Sequence, residues 1–280
     1  MKQKEISINK NEKVIKEFGE EWAKYNYTNL DKEKLFENFQ QYFDIFPWDL
    51  ISLESEGFDM GCGSGRWAQF VAPKVKTLFC IEPSKAIEVA KSNLKKFPNV
   101  RYLEETTDTC SLDDASQDFG YSLGVLHHIP NTESALKDCS RLLKQGAPFL
   151  LYLYYNFENK PWWFRGIWKS SDLVRRIISK LPKTPKKLVC DVIAITIYFP
   201  LIHLSLILEK LGIDVSNIPL SDYRKKPFYQ SRNDALDRFG TRLEQRFSKL
   251  QITDMLNNAG FDNVSMSDNT PYWHCVAFKR

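Results

Sequence analysis

The 280-residue sequence predicts an α/β protein whose mostly parallel sheet carries helices on both faces. Three observations point there. From about residue 56, short apolar runs alternate with stretches of helical period. A glycine-rich turn, "GFDMGCGSGRW" (57–67), stands where the first run ends and a helix should begin. The same texture returns at 247–280 after a long interruption of different composition.

Each element can be justified in order. Residues 11–25 place Val14, Phe18, Trp22 and Tyr25 at near-helical spacing, and Asp31–Phe46 repeats this with Leu35, Phe39, Tyr42 and Phe46. The runs "GFDMG", "TLFCIE" (77–82), "VRYLE" (100–104), "DFGYSLGV" (118–125) and "PFLLYLYY" (148–155) are predicted strands. Between them, 84–95 puts Ile87, Ala90 and Leu94 on one helix face, and 133–144 does so with Leu136, Cys139 and Leu143. Ser248 and Gln251 form a capping box before a face of Ile252, Met255, Leu256 and Ala259, and Gly260 is the stop. "FDNVSMSD" and "YWHCVAFK" read as two closing strands. The expected organisation is an N-terminal helical segment (1–46), a sheet core (47–155), a helical insertion (156–246) and a C-terminal completion of the core (247–280).

Composition narrows the function classes. A hydrophobic content of 43% is ample for a core, and a net charge of +4 does not call for a nucleic-acid partner. The six cysteines are scattered without a C-x-x-C pair, which suits buried thiols in a reducing, cytoplasmic compartment and leaves no metal site. The first 22 residues lack the apolar stretch of a secretory signal.

The glycine turn holds Gly61, Gly63 and Gly65 at the end of the first strand, where such sheets bind ligands. Its glycines are expected to let the backbone approach a ligand closely. The G-x-G-x-G spacing is neither the dinucleotide fingerprint nor a P-loop, since no Lys follows Gly65. Asp59 precedes the turn. Glu82 ends the next run, 21 residues after Gly61, where an acid can accept both hydroxyls of a ribose.

"FDMGCGSGRW", "CIEPS", "SQDFGYSLGVLHHI" and "RLLKQGAPFLLYLYY", in this order and spacing, resemble the class I S-adenosylmethionine (SAM)-dependent methyltransferases of the small-molecule type. The resemblance covers about 56–155 and 247–280 and implies a Rossmann-like fold with SAM as cofactor. It also implies that Asp59, Gly61, Cys62, Gly63 and Gly65 meet the methionine and ribose parts, and that Glu82 and Pro83 lie at the ribose. The adenine would meet Thr106, Thr107 and Asp108, while Leu123 and Gly124 face the sulfonium. Histidine titrates nearest neutrality, so His127 and His128, just after the fourth strand, are candidate catalytic bases or substrate contacts.

The insertion should shape the acceptor site. From Lys160 to Lys187 it has nine basic residues and one acidic, Asp172. Leu173, Val174, Ile177, Ile178 and Leu181 form an apolar stripe with Arg175, Arg176 and Lys180 off it. Val192–Leu208 follows, 17 residues without a formal charge. That length falls short of the roughly 20 apolar residues a spanning helix needs. A buried lid, a homodimer helix and peripheral contact of 160–208 with the inner face of a membrane all fit this pattern. Trp22, Tyr154, Tyr155 and Arg242 are candidate acceptor contacts. Arg238, Arg242 and Arg246 share a face if 234–247 is helical throughout.

The expected function is methyl transfer from SAM to a small acceptor, most plainly at the oxygen of a sugar, a quinone or lipid-like compound, or a secondary metabolite. An RNA-modifying methyltransferase and a non-catalytic SAM-binding scaffold docked on a membrane stay open beside it.

Overall fold

The computed structural model describes residues 32–224 and 228–280, together with Ile15 and Gly19. The helix expected over 11–25, with Trp22, otherwise lies outside the described residues. Gly19 is helical and packs where β2 ends, since a Cβ on it would stand 3.0 Å from the Ser84 Cβ. The chain divides into two compact units, Met1–Asn156 with Gln245–Arg280, and Phe157–Glu244.

The first unit is a seven-stranded sheet of β1 (Glu56–Met60), β2 (Thr77–Ile81), β3 (Val100–Leu103), β4 (Phe119–Leu123), β5 (Pro148–Tyr152), β6 (Phe261–Met266) and β7 (His274–Lys279). Its order is β3-β2-β1-β4-β5-β7-β6. Strands β1 to β5 pair in parallel, and β7 runs antiparallel to both neighbours. The order reverses between β1 and β4, which places a ligand crevice at their carboxyl ends.

Among the described helices, α1 spans Lys32–Tyr42, α2 Ala86–Asn93 and α3 Thr132–Leu142. The faces expected for α2 and α3 are buried, with Ala90, Leu94, Leu136, Cys139 and Leu143 all at 0% exposure. The Asn131 side chain caps α3 by accepting from the Ser134 N–H at 2.9 Å. The α1 helix departs from expectation. It stops at Tyr42, and Leu35, Phe39, Phe43 and Phe46 are buried while Tyr42 is only half-buried. Phe43 takes the expected place of Tyr42 because the chain leaves the helix there, and its ring stands edge-on to Tyr121 of β4 at 5.4 Å.

Strands β1 and β4 interlock through glycine. In their register Gly57 pairs with Phe119 and Phe58 with Gly120. A Cβ on Gly57 would come within 2.3 Å of the Phe119 ring, and one on Gly120 within 2.3 Å of the Phe58 ring. Each phenylalanine therefore lies over the glycine of the neighbouring strand, once on each face of the sheet.

The second unit contains α4 (Trp162–Ile178), the long helix α5 (Lys183–Lys210) and α6 (Phe228–Gly240). Its core is Ile178, Cys190, Ala194, Tyr198, Ile202, Ala235 and Phe239. The stripe expected on α4 holds at Ile178, which is buried, and at Leu181, which packs on the unit's core, but not at its other positions. Arg175 is buried at 6% exposure, whereas Leu173, Val174 and Ile177 are 45–65% exposed. Burial of Arg175 is tolerated because it donates to Asp172 at 2.7 Å and to the Thr241 carbonyl at 2.8 Å. Lys186 is likewise buried and donates to the Gly240 carbonyl. The shared arginine face also fails, because α6 ends at Gly240. Arg238 remains on the helix and reaches Ser171, while Arg242 and Arg246 lie beyond it.

Back in the first unit, α7 (Lys249–Asn258) starts with the predicted capping box. The Gln251 N–H donates to Ser248 Oγ at 3.1 Å, and the Ser248 N–H donates to Gln251 Oε1 at 2.9 Å.

Candidate functional site

The glycine turn is bolted to the end of β2. The N–H groups of Gly61 and Cys62 both donate to the Ile81 carbonyl, at 2.8 and 3.1 Å. The Gly63 N–H donates to Glu82 Oε2 at 3.1 Å, and the Ser84 N–H donates to Glu82 Oε1 at 3.0 Å. Glu82 thus links two loops. Burial pushes its pKa up, against the pull of the hydrogen bonds from Ser84 and Gly63.

Two of the three glycines serve the protein's own packing. Gly61 has φ +79°, and a Cβ there would sit 2.4 Å from Val125 Cγ1. Gly65 has φ +76°, and its Cβ would sit 2.6 Å from Leu94 Cδ1. The vacated space is filled at those positions by Val125 and Leu94, and Gly63 between them has φ +54°. Cys62 is buried, and its proximity to Cys80 together with burial holds its thiol pKa well above the ordinary range. It is a packing residue, not a thiolate.

Asp59 is 2% exposed, and its Oδ2 has no hydrogen-bond partner among the described residues. Burial pushes its pKa up to about 8, with the Tyr121 hydroxyl opposing and the Glu82 charge adding. The folded state therefore holds a proton that the unfolded chain releases near 3.8, and stability falls as pH rises from there to about 8. Asp59→Asn should remove that penalty and raise stability at neutral pH by about 2 kcal/mol or more. It should also flatten the dependence of melting temperature on pH. An unchanged or lowered melting temperature would contradict this account of Asp59.

The loop after β3 folds on itself. Thr106 Oγ1 donates to Asp108 Oδ1 at 2.6 Å, and its N–H donates to Thr109 Oγ1 at 3.0 Å. Thr107 points inward, 3% exposed, and its hydroxyl has no partner among the described residues. Pro83 is half-buried beside Glu82. The Gly124 N–H donates to the Tyr152 carbonyl at 3.0 Å, which ties the ends of β4 and β5 together next to buried Leu123. Carboxylate, glycine amide and two orphaned buried oxygens, all at the carboxyl edge, fit a nucleoside with a free diol and a polar tail.

His127 is buried completely, and neither ring nitrogen has a hydrogen-bond partner among the described residues. Burial, with the charges of His128 and Arg246, lowers its pKa well below the usual value and keeps the ring neutral. It stacks on Tyr154 at 3.8 Å and lies 4.0 Å from His128, which is 8% exposed. Gln245 laces this turn by donating its N–H to the His127 carbonyl and its side-chain amide to the Ile129 carbonyl. Arg246 lies over the Tyr154 ring at 5.0 Å. Tyr155 packs instead on Tyr272 and Trp273, at 5.4 and 6.0 Å. Arg242 belongs to the second unit, where it lines a depression with Arg176, Ser179 and Lys180.

Sequence reasoning missed two groups at the same edge. Tyr42 meets Trp67 at 4.9 Å and Tyr152 at 5.2 Å, and so bridges the glycine turn to the end of β5. His274, paired with Tyr152 across the sheet, is buried and contacts Asp44 Oδ1 through Nε2 at 2.6 Å. Its Nδ1 donates to the Pro271 carbonyl. Partial burial pushes the Asp44 carboxyl up, but His274, Asn269 and Ser267 outweigh it and hold it below the usual range. Tyr42 was visible only as part of an apolar stripe. The Asp44–His274 pair joins opposite ends of the chain and leaves no local signal.

Residues 58–151 match the model of a family described as "Methyltransferase domain". An uncharacterized methyltransferase of Bacillus subtilis, YcgJ, is 30% identical over 109 residues, 38% of this chain and 43% of that protein. The ubiquinone biosynthesis O-methyltransferase of Escherichia coli is 25% identical over 134 residues, 47% of this chain and 55% of that protein. The chain thus spans about half the length of these relatives. A chain in the complex between the Haloferax volcanii Trm112 methyltransferase activator and a methyltransferase superposes with a TM-score of 0.51. The identity is 12%, with 94% of this chain and 97% of that one covered.

Proposed function

We propose, from the methyltransferase-domain match over residues 58–151, that the chain is a class I SAM-dependent enzyme that transfers the methyl group of SAM to a small-molecule acceptor, at oxygen. The observation that carries this is the Glu82 carboxylate joined to the Gly63 amide at the point where the strand order reverses. When bound, SAM supplies a methyl group already activated on a sulfonium sulfur. The protein has to align, enclose and deprotonate. Glu82 would hold the ribose diol, Gly63 would allow close approach, and Asp59 and Thr107 would satisfy polar atoms of the cofactor. Tyr42, Trp67, Tyr152 and Tyr154 form a chain of rings between the glycine turn and the end of β5, suited to covering an acceptor and excluding water.

His127 takes the acceptor's proton in this proposal, with His128 as its neighbour, and because burial disfavours its charged form the proton has to be passed on. The acceptor class is a sugar, a quinone or lipid-like compound, or a secondary metabolite. The oxygen assignment draws support from the O-methyltransferase relative.

The test uses methyl-labelled SAM and a panel of hydroxylated acceptors, with SAM affinity measured by calorimetry. His127→Asn is expected to lower turnover about 10²–10⁴-fold while SAM affinity stays within a few-fold. Turnover near wild type would remove His127 from the chemistry. Absence of SAM binding in the wild-type protein would remove the function itself.

A further inference from the structure

The helical unit turns an apolar face outward. On α5, Leu188, Val192, Ile195 and Phe199 recur at helical spacing with exposures of 45–65%. Ile207, at 57%, extends the apolar surface toward the end of the helix. No exposed position from Leu188 to Glu209 carries a formal charge. On helix α4, Leu173 and Ile177 are likewise exposed, at 64% and 65%, with Trp162 at 78% exposure where the helix begins. A water-facing helix normally shows the opposite pattern, and large apolar surfaces on soluble domains mark interaction sites.

The fully exposed charges on the two helices have one sign. Arg176, Lys180, Lys183, Lys187 and Lys210 are exposed on or beside the two helices. The three acids of those helices are turned to arginines, with Asp172 on Arg175 and Arg176, Asp191 on Arg232, and Glu209 on Arg224. We infer that this face docks in the plane of an anionic lipid bilayer, burying Leu173, Ile177, Leu188, Ile195 and Ile207 among the acyl chains while the cations meet phosphate headgroups.

Apolar side chains rimmed by lysine and arginine are what an interfacial helix needs. A second copy of this chain fits worse, because a two-fold contact would bring one cationic rim against another. Spanning also fits worse. The opposite side of α5 is committed to the unit's own core through Cys190, Ala194, Tyr198 and Ile202, and Lys186 and Asp191 are held by Gly240 and Arg232.

The experiment is co-sedimentation of the full chain with phosphatidylcholine vesicles, with and without phosphatidylglycerol, at low and high salt. Binding is expected only with phosphatidylglycerol and should be released by salt, since surface attraction is screened within about 8–10 Å. Arg176→Gln with Lys180→Gln and Lys187→Gln should lower the partition coefficient by about 10²-fold, at roughly fivefold for each cation. Ile195→Glu with Ile207→Glu should abolish binding without lowering the melting temperature, both sites being exposed. SAM affinity should be the same in all variants, which separates this inference from the methyl-transfer proposal. Three results would overturn it: no sedimentation at low salt, a dimer in vesicle-free solution that Ile195→Glu dissociates, or resistance of the cellular protein to alkaline extraction from membranes.

Discussion

Replacing Glu82 by Ala is expected to weaken SAM binding about 10²–10⁴-fold. In the proposed complex the carboxylate accepts two charge-assisted hydrogen bonds from the ribose diol, each worth roughly 1.5–3 kcal/mol. It also accepts the Gly63 and Ser84 N–H groups, so its removal unpins the glycine turn from the loop after β2. Binding would then have to restore an ordered turn as well as replace the lost contacts. Glu82→Gln should be nearly as damaging, because one of its two positions becomes an NH₂ facing a backbone donor. Calorimetry decides the matter, and equal affinity in wild type and Glu82→Ala would end the cofactor assignment.

Gly61→Ala should cost about 3 kcal/mol of stability and most of the cofactor affinity. The residue has φ +79°, which an alanine adopts only at a penalty of roughly 1–2 kcal/mol. Its Cβ would also stand 2.4 and 2.6 Å from the two methyl groups of Val125. Val125 opens the turn that carries His127, so relief of the overlap would displace the candidate base. Gly61→Ala combined with Val125→Ala separates the two causes. The double variant should regain the steric part and retain the backbone penalty, a non-additivity expected for residues in contact. Urea denaturation of the three variants provides the measurement. A single variant as stable as wild type would refute the packing role of Gly61.

The sheet was legible because its signals are local. Alternating runs, helical spacing over 84–95 and 133–144, and the Ser248–Gln251 box each depend on a few neighbouring residues. Asp59, the glycine turn and Glu82 were legible for the same reason, since they sit at strand ends whose chemistry is stereotyped. What failed was the outside of helices. Period alone shows that α4 has two unlike faces, but not that Arg175 finds Asp172 and Thr241 and so becomes the inward one. The expected arginine row broke because Gly240 ends α6 before Arg242. Tyr42 and the Asp44–His274 pair needed the tertiary fold, being set by contacts with residues remote in sequence.

The insertion leaves the sheet unit and returns to it at nearly one place. The Asn156 N–H donates to the Phe247 carbonyl, and the Phe247 N–H donates to the Tyr154 carbonyl, so outgoing and incoming backbones lie side by side. For the sheet, the whole excursion from Phe157 to Glu244 has the end-to-end span of a hairpin turn. Closing a loop whose ends already touch costs little more entropy when the loop grows. The helical unit is thus a cassette on a closed socket. It can be lengthened, exchanged or retuned over generations of sequence change while the strands of the sheet keep their register.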